Sequence, residues 1–499
     1  MKIVLAAGEA VPYCKTGGLA DVVGTLARKL STQGHEVCLF LPKYRGLKNV
    51  PARLERVSIS VPAGGQSRGV AVASALLAPS VKGAGSLRLC LIDDPALYDR
   101  DGLYNSAGRD YPDNDLRFIV FCRAVLEGAK ALDFRPDVVH VHDWQAGLIP
   151  AYLKRHYEGD PFFSGAASVM TIHNMAYQGN FPREAASLAG FGPADFNSEM
   201  LEFYGKTSFL KAGIAFADRL TTVSPAYARE IRESADRGFG MEGLLSKRRD
   251  ALSGVLNGLD VDFWNPETDT RIPRRFGPRD AAAGKTACKK AVRAECGLRD
   301  EPAKPLIAVI SRFDYQKGLD LAAAAVDSRL GRCQLAILGD GDSGLAETFS
   351  ALAQRHPQDV FLRHGFDDVL AHRIYAAADL FLIPSRFEPC GLGQMIAMRY
   401  GAVPLAAKTG GLLDTVFEFP VDGRCANGFL CAPNDGADLA RALDRALQEW
   451  GTADWAGRVA CAMSGDYSWD KSVPQYLSIY ESARASREQS GAAGNERRA

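Results

Sequence analysis

Cations, glycines and acids recur in this chain wherever an apolar run stops. In Ser311-Arg312-Phe313-Asp314-Tyr315-Gln316-Lys317-Gly318, an arginine and a lysine flank the start of a helical pattern directly after the run ending at Ile310. Arginine offers phosphate oxygens a planar fork and lysine a mobile point charge, so the pair suits a phosphate clamp; a solvated basic pair is the plain alternative. Lys15 stands beside Gly17-Gly18 after the first apolar run. Missing side chains there let a ligand approach backbone N–H groups that converge on an anion, although a tight turn explains the glycines equally well. No GxGxxG follows that run, so a dinucleotide fingerprint is absent. Glu388 lies next to Pro389. It suits either the capping of a helix start or the acceptance of hydrogen bonds from sugar hydroxyls.

Two more runs end in polar residues, His142-Asp143-Trp144 and His173-Asn174. Asp143 and His173 are expected to contact a polar ligand there, with strand capping as the alternative. His140 and His142 share a strand face, but no third ligand of suitable spacing for a metal is evident. Asp340-Gly341-Asp342 fits a divalent ion less well than a helix-start turn.

These residues need elements to hold them. The centre of the chain is residues 377 to 416: strand Leu380 to Ile383, a polar loop to Glu388, a helix whose first residue is Pro389, and strand Gly401 to Ala407. Such a unit sets a helix start at the mouth of a parallel sheet beside Glu388 and a second turn, Gly410-Gly411. From the N-terminus, strand Lys2 to Ala7, helix Asp21 to Ser31 and strand His35 to Leu41 form a βαβ opening. Gly and Pro then break the pattern up to Asp115, which predicts hairpins and long loops. A helix from Asp115 to Leu132 and strands Asp137 to Val141, Ala167 to Ile172 and Arg219 to Val223 follow. Ligands of open α/β sheets lie beyond the carboxyl ends of strands, where the polar residues stand. Residues Asp262 to Arg279 read as a linker, and a second alternating series runs from Leu306. An amphipathic stretch, Trp469 to Ala483, precedes a polar tail expected to be disordered. Lys15-Thr16-Gly17-Gly18-Leu19-Ala20-Asp21 recurs as Lys408-Thr409-Gly410-Gly411-Leu412-Leu413-Asp414. The echo reads as duplication, or as parallel use of one anion-binding device.

At 499 residues the chain exceeds what one core usually supports. Lys plus Arg balance Asp plus Glu at 59 each, so there is no basic field for nucleic acid or an anionic membrane, and any anion must be captured locally. No apolar run is long enough for a membrane helix, and Gly8 and Glu9 interrupt the first run before it can serve as an export signal. The 11 scattered cysteines contain no CxxC pair, which predicts reduced thiols in a cytoplasm rather than disulfides or zinc.

Taken together, KTGGLADVVG (15 to 24), HVHDWQAGLIPAYL (140 to 153), TIHNMAYQG (171 to 179), GMEGLL (240 to 245), VLNG (255 to 258), SRFDYQKGLDL and PSRFEPCGLGQM resemble the bacterial and plastid glycogen or starch synthases. The resemblance covers nearly the whole chain in order. It implies an α/β GT-B fold of two Rossmann-like doubly wound domains facing across a cleft; closure is expected because anion clamps from the two halves must meet on one donor. The expected parts are an acceptor-side domain over 1–260, a nucleotide-sugar domain over 261–470, a helix over 471–485 returning to the first domain, and a disordered tail over 486–499. It implies transfer of glucose from ADP-glucose to the nonreducing end of an α-1,4-glucan with retention, without metal or cofactor.

By matching motif, Lys15 and the Gly17-Gly18 turn approach the donor, Arg312 and Lys317 neutralise the leaving ADP, and Glu388 holds sugar hydroxyls. His173 contacts the transferred glucose, with Asp143 and Glu9 near the acceptor or sugar side. Asp21, Asn174, Asn257, Cys390, Gly391 and Leu392 carry over as substrate-binding positions. Two positions depart from the pattern: Gly393 replaces a polar residue, and Phe366 stands where many relatives carry a tyrosine near the adenine. Rival readings are a transferase using UDP-glucose or a small-sugar acceptor, a nucleotide-dependent oxidoreductase, and an inactive glucan-binding homologue.

Overall fold

A computed structural model describes residues 1–78, 83–106 and 108–496 of the chain. The chain divides into two compact units. The first comprises Met1–Val223, Ala228–Val255 and Trp469–Ala499, the second Ser224–Tyr227 and Leu256–Ser468.

The first unit is built on a nine-stranded sheet. Strands Lys2–Ala6, Glu36–Pro42, Ser86–Asp93, Val138–His142, Ala167–Ile172, Arg219–Thr222 and Leu252–Gly254 run parallel. Numbered in that order they lie 7-6-5-4-1-2-3 across the sheet. The Gly- and Pro-rich stretch after Pro42 adds an antiparallel hairpin, Glu55–Ala63 with Gln66–Leu77, whose turn uses Gly64 and Gly65 at φ 59° and 74°. Glycine supplies the two positive φ values that such a tight hairpin turn requires.

The second unit carries six parallel strands: Leu306–Ile310, Gln334–Gly339, Val360–His364, Leu380–Ile383, Val403–Ala407 and Phe429–Cys431. Their order across the sheet is 3-2-1-4-5-6. Strands such as Leu306–Ile310 (LIAVI) are apolar throughout because helices cover both faces of a doubly wound sheet. In both units the order reverses between the first and fourth parallel strands, and at such a reversal the loops diverge and leave a crevice.

Four expectations need correction. Asp262 to Arg279 is not a free linker: Asp269 is buried in the second unit, where its carboxylate accepts from Tyr400 Oη at 2.6 Å and lies 2.7 Å from His372 Nδ1. The helix Val473–Glu496 continues through most of the predicted disordered tail; residues 497–499 lie outside the described residues. Trp469, Val473, Tyr476, Tyr480 and Ala483 enter the core of the first unit. Cys425 and Cys461 form a disulfide, with Cα atoms 6.0 Å apart, while the other nine cysteines are free. Finally, the repeated Lys-Thr-Gly-Gly string follows the first parallel strand in one unit and the fifth in the other. Gly17 has φ −153°, Gly410 φ +45°. The strings occupy different places in the topology and differ in backbone shape, so they are not copies of one duplicated element.

Candidate active site

In the second unit, the loops after Leu306–Ile310 and Leu380–Ile383 flank the strand reversal. The Asp314 side chain caps the turn Tyr315–Lys317 by accepting from Lys317 N at 3.2 Å, and it pairs with Arg312 at 3.3 Å. Gly318 has φ +61°, and a Cβ there would stand 2.2 Å from the Pro384 carbonyl, so glycine lets the two loops touch. That approach brings Lys317 Nζ to 2.6 Å from Glu388 Oε2, which also accepts from Ser385 Oγ at 2.9 Å. Only 18% of the lysine side chain and 8% of the carboxylate side chain are exposed, so the pair is held largely away from water. A buried charge pair is a costly structural device, and its position in a crevice favours a working one. An incoming phosphate offers the Lys317 ammonium a second acceptor, and sugar hydroxyls are donors for Glu388.

Glu388 caps no helix. The helix that follows is Gly393–Arg399, with Leu392 at its N-cap and no side-chain cap bond, so Pro389 is not its first residue. The segment between is tied down by other contacts: Gly411 N donates to the Glu388 and Pro389 carbonyls at 3.1 and 3.2 Å, and Ser224 Oγ donates to Pro389 O at 2.8 Å. Gly391, at φ +73°, turns the chain toward the helix. Cys390 is buried and hydrogen-bonded to Asn257; burial pushes its thiol up to about 12, which removes it as a nucleophile. Asn257 Oδ1 is buried without a partner among the described residues. A Cβ on Gly393 would stand 3.1 Å from the Phe381 ring, tighter than an ordinary contact. Phe366 is 84% exposed and available for stacking. Asp342 caps the helix Ser343–Arg355 by accepting from Leu345 N at 2.9 Å, the helix-start role rather than the ion-binding one.

In the first unit, the reversal lies between Lys2–Ala6 and Val138–His142. Glu9, after the first of these strands, accepts from Thr16 N, Thr16 Oγ1 and Gly17 N. The amides expected to meet a diphosphate thus partly serve an internal carboxyl. Burial outweighs those bonds and raises Glu9 to about 7. Lys15 pairs with Asp21 at 2.7 Å on a half-exposed surface. Gly17 is the N-cap of Gly18–Thr32, with open space where a Cβ would stand.

After the other strand, Asp143 adopts φ +53°, ψ −168°, a region that non-glycine residues occupy only when held there, and most often at functional sites. What holds it is His173 N, donating at 2.6 Å, and Asn174 N. Burial nonetheless raises its carboxyl to about 8. His173 is 9% exposed, and burial lowers it to about 3, so its ring is neutral. Asn174 Oδ1 accepts from Ala176 N at 3.0 Å.

Sequence reasoning missed Tyr104, Gln145 and Ser385. Among the described residues, Tyr104 Oη and Gln145 Oε1 are buried without partners, and the Tyr104 hydroxyl and the Gln145 Cγ come close to Gly8, one residue before Glu9. Orphaned polar atoms at a strand reversal are ready to bond a hydroxylated ligand. Tyr104 lies in the irregular stretch after Pro42, where no motif marks it; Ser385 was within sight, three residues before Glu388. The predicted residues divide between the units: Lys15, Gly17, Gly18, Asp21, Glu9, Asp143, His173 and Asn174 in the first, the remainder in the second. Among the described residues, no group of three or more His, Cys, Asp or Glu is arranged to hold a metal ion, and no helix is long and apolar enough to cross a membrane.

Residues 2–247 match the starch synthase catalytic domain family, and residues 298–458 match glycosyl transferases group 1. The glycogen synthase of Elusimicrobium minutum is 45% identical across 96% of this chain and 99% of its own length. That of Anaeromyxobacter dehalogenans (strain 2CP-C) is 43% identical across 96% and 99%. The catalytic domain of starch synthase IV from Arabidopsis thaliana, solved with ADP and acarbose bound, aligns with TM-score 0.87 at 33% identity, over 97% of this chain and 99% of that one. A sucrose-phosphate synthase from Thermosynechococcus elongatus, at TM-score 0.59 and 18% identity, shares the fold. Similarity this close over nearly the full length of both partners, on two doubly wound sheets with polar residues at each strand reversal, means that the chain belongs to the glycogen synthase family of retaining GT-B glycosyltransferases.

Proposed function

We propose that the protein transfers glucose from ADP-glucose to the nonreducing end of an α-1,4-glucan with retention of configuration. The observation that carries this reading is the Lys317–Glu388 pair at the second unit's strand reversal, 2.6 Å apart and largely enclosed. Breaking the bond between the anomeric carbon and the phosphate leaves positive charge on the sugar and added negative charge on ADP. Cations fixed beside the diphosphate therefore stabilise the transition state more than the ground state. Arg312 and Lys317 take that role, Glu388 accepts from glucose hydroxyls, and Phe366 offers a face to the base. In the first unit His173 meets the transferred glucose, while Glu9 and Asp143 shape the sugar side together with Tyr104 and Gln145.

Retention follows from attack by the acceptor hydroxyl on the face from which phosphate departs, with the departing phosphate oxygen taking the proton. No enzyme nucleophile is required: the Cys390 thiol stays protonated, and Glu388 is bound to Lys317 and Ser385. The proposed donor and acceptor fit a cytoplasmic enzyme.

The test is nucleotide release from ADP-glucose and UDP-glucose, each with glycogen and with a small sugar as acceptor. ADP-glucose with glycogen is expected to be preferred, and Lys317→Ala to lower kcat by roughly a hundredfold or more. Preference for UDP-glucose or a small sugar, or full activity in the variant, would overturn the assignment.

A further inference from the structure

The Val138–His142 and Ala167–Ile172 strands run parallel in register, with His142 opposite Thr171. That register places the His142 ring against the ring of His173, two residues further along, with Nδ1 of the first 3.0 Å from Nε2 of the second. His142 is completely buried, and its other nitrogen, Nε2, has no partner among the described residues. Neighbouring groups are committed elsewhere: His140 joins Tyr480 Oη at 2.8 Å and Thr171 Oγ1 at 2.6 Å, and Thr171 joins Thr221 Oγ1 at 2.5 Å. Burial lowers the pKa of both His142 and His173 well below the ordinary value, so both rings are neutral.

A neutral imidazole has one N–H and one bare nitrogen. Two arrangements can fill the shared bond. If His173 donated from Nε2, His142 would accept at Nδ1 and carry its proton on Nε2, a buried N–H with no acceptor. If His142 donates from Nδ1, the unpartnered Nε2 is only a bare acceptor. Orphaned buried donors are rarer in proteins than under-used acceptors, so the second arrangement is favoured.

We propose that His142 is a positioning residue for His173: it donates Nδ1–H to His173 Nε2, fixing that ring and leaving Nδ1–H as the one donor His173 can offer a sugar oxygen. The same bond stops the His173 ring from flipping, because a flip would put Cε1, which cannot accept, where Nε2 faces His142. The functional part of this inference rests on the assignment of His173 to the transferred glucose; the proton placement does not.

Nitrogen NMR of the full chain labelled with 15N-histidine, with His173 signals identified by their loss in His173→Gln, reads the tautomer directly. The expected result is a protonated Nδ1 and a bare Nε2 on His173; a proton on Nε2 overturns the proposal. His142→Asn, whose amide N–H can stand near the place of Nδ1, is expected to keep kcat within about threefold of the parent. His142→Leu is expected to lose about tenfold, the equivalent of one hydrogen bond, and to give His173 mixed tautomers. Equal losses in the two variants would overturn the positioning role. Should the leucine variant not fold, the spectrum of the parent still decides. Undiminished glucan elongation by His173→Ala would sink the glucose assignment while leaving the tautomer result standing.

Discussion

Asp143 is enclosed beside two backbone donors, yet burial lifts its carboxyl from 3.8 to about 8. A folded-state pKa above the unfolded one means that the folded chain holds the proton more tightly. Its stabilisation is therefore complete below about pH 4 and lost as pH rises toward about 8. Glu9, raised from 4.5 to about 7, acts in the same direction. Asp143→Asn keeps an acceptor oxygen without an ionisable proton. In the unliganded protein it is expected to flatten the fall in Tm across that window; parallel Tm curves for variant and parent would show that Asp143 does not ionise there. The residue types at Arg312, Lys317 and Glu388 were legible because they follow apolar runs. Their pairing was not, because 71 residues separate Lys317 from Glu388 and only the touching of two loops at Gly318 joins them.

Strands were legible as elements because a doubly wound sheet buries both faces and leaves continuous apolar runs. Helix boundaries were less so. Pro389 satisfies every local rule for a first helical residue, but its carbonyl is engaged by Gly411 N and Ser224 Oγ, and the helix waits until Gly393. The last helix was shortened for the opposite reason. Its final turns carry few apolar residues, a pattern that suits disorder and a surface helix equally, and Ala, Glu, Arg and Gln there favour the helix. Its first turns and the segment leading into it matter to the whole first unit: Trp469, four residues before the helix, is 1% exposed in the core, and Tyr480 Oη bonds His140 at 2.8 Å. Trp469→Ala is expected to cost about 3–5 kcal/mol in chemical denaturation. A loss below about 1 kcal/mol would mean that Trp469 does not anchor that core.

Across the molecule, cysteine usage separates what the chain announces from what it conceals. Eleven scattered residues without a CxxC pair predicted free thiols, yet Cys425 and Cys461 are joined across 36 residues. Thiol titration of protein purified and denatured without reductant is expected to find nine thiols, and eleven after reduction. Eleven before reduction would remove the disulfide. By itself the sequence determined the alternating strands and helices, the two-domain α/β class, the family, and the chemical types gathered at strand ends, all of which are encoded in local period, composition and motif. Only the tertiary structure decided the strand orders that create a reversal in each unit, the Lys317–Glu388 and His142–His173 pairs, the orphaned Tyr104 and Gln145, and the cysteine bond. Each of these depends on distances between residues far apart in the chain, and on burial, which no local pattern specifies.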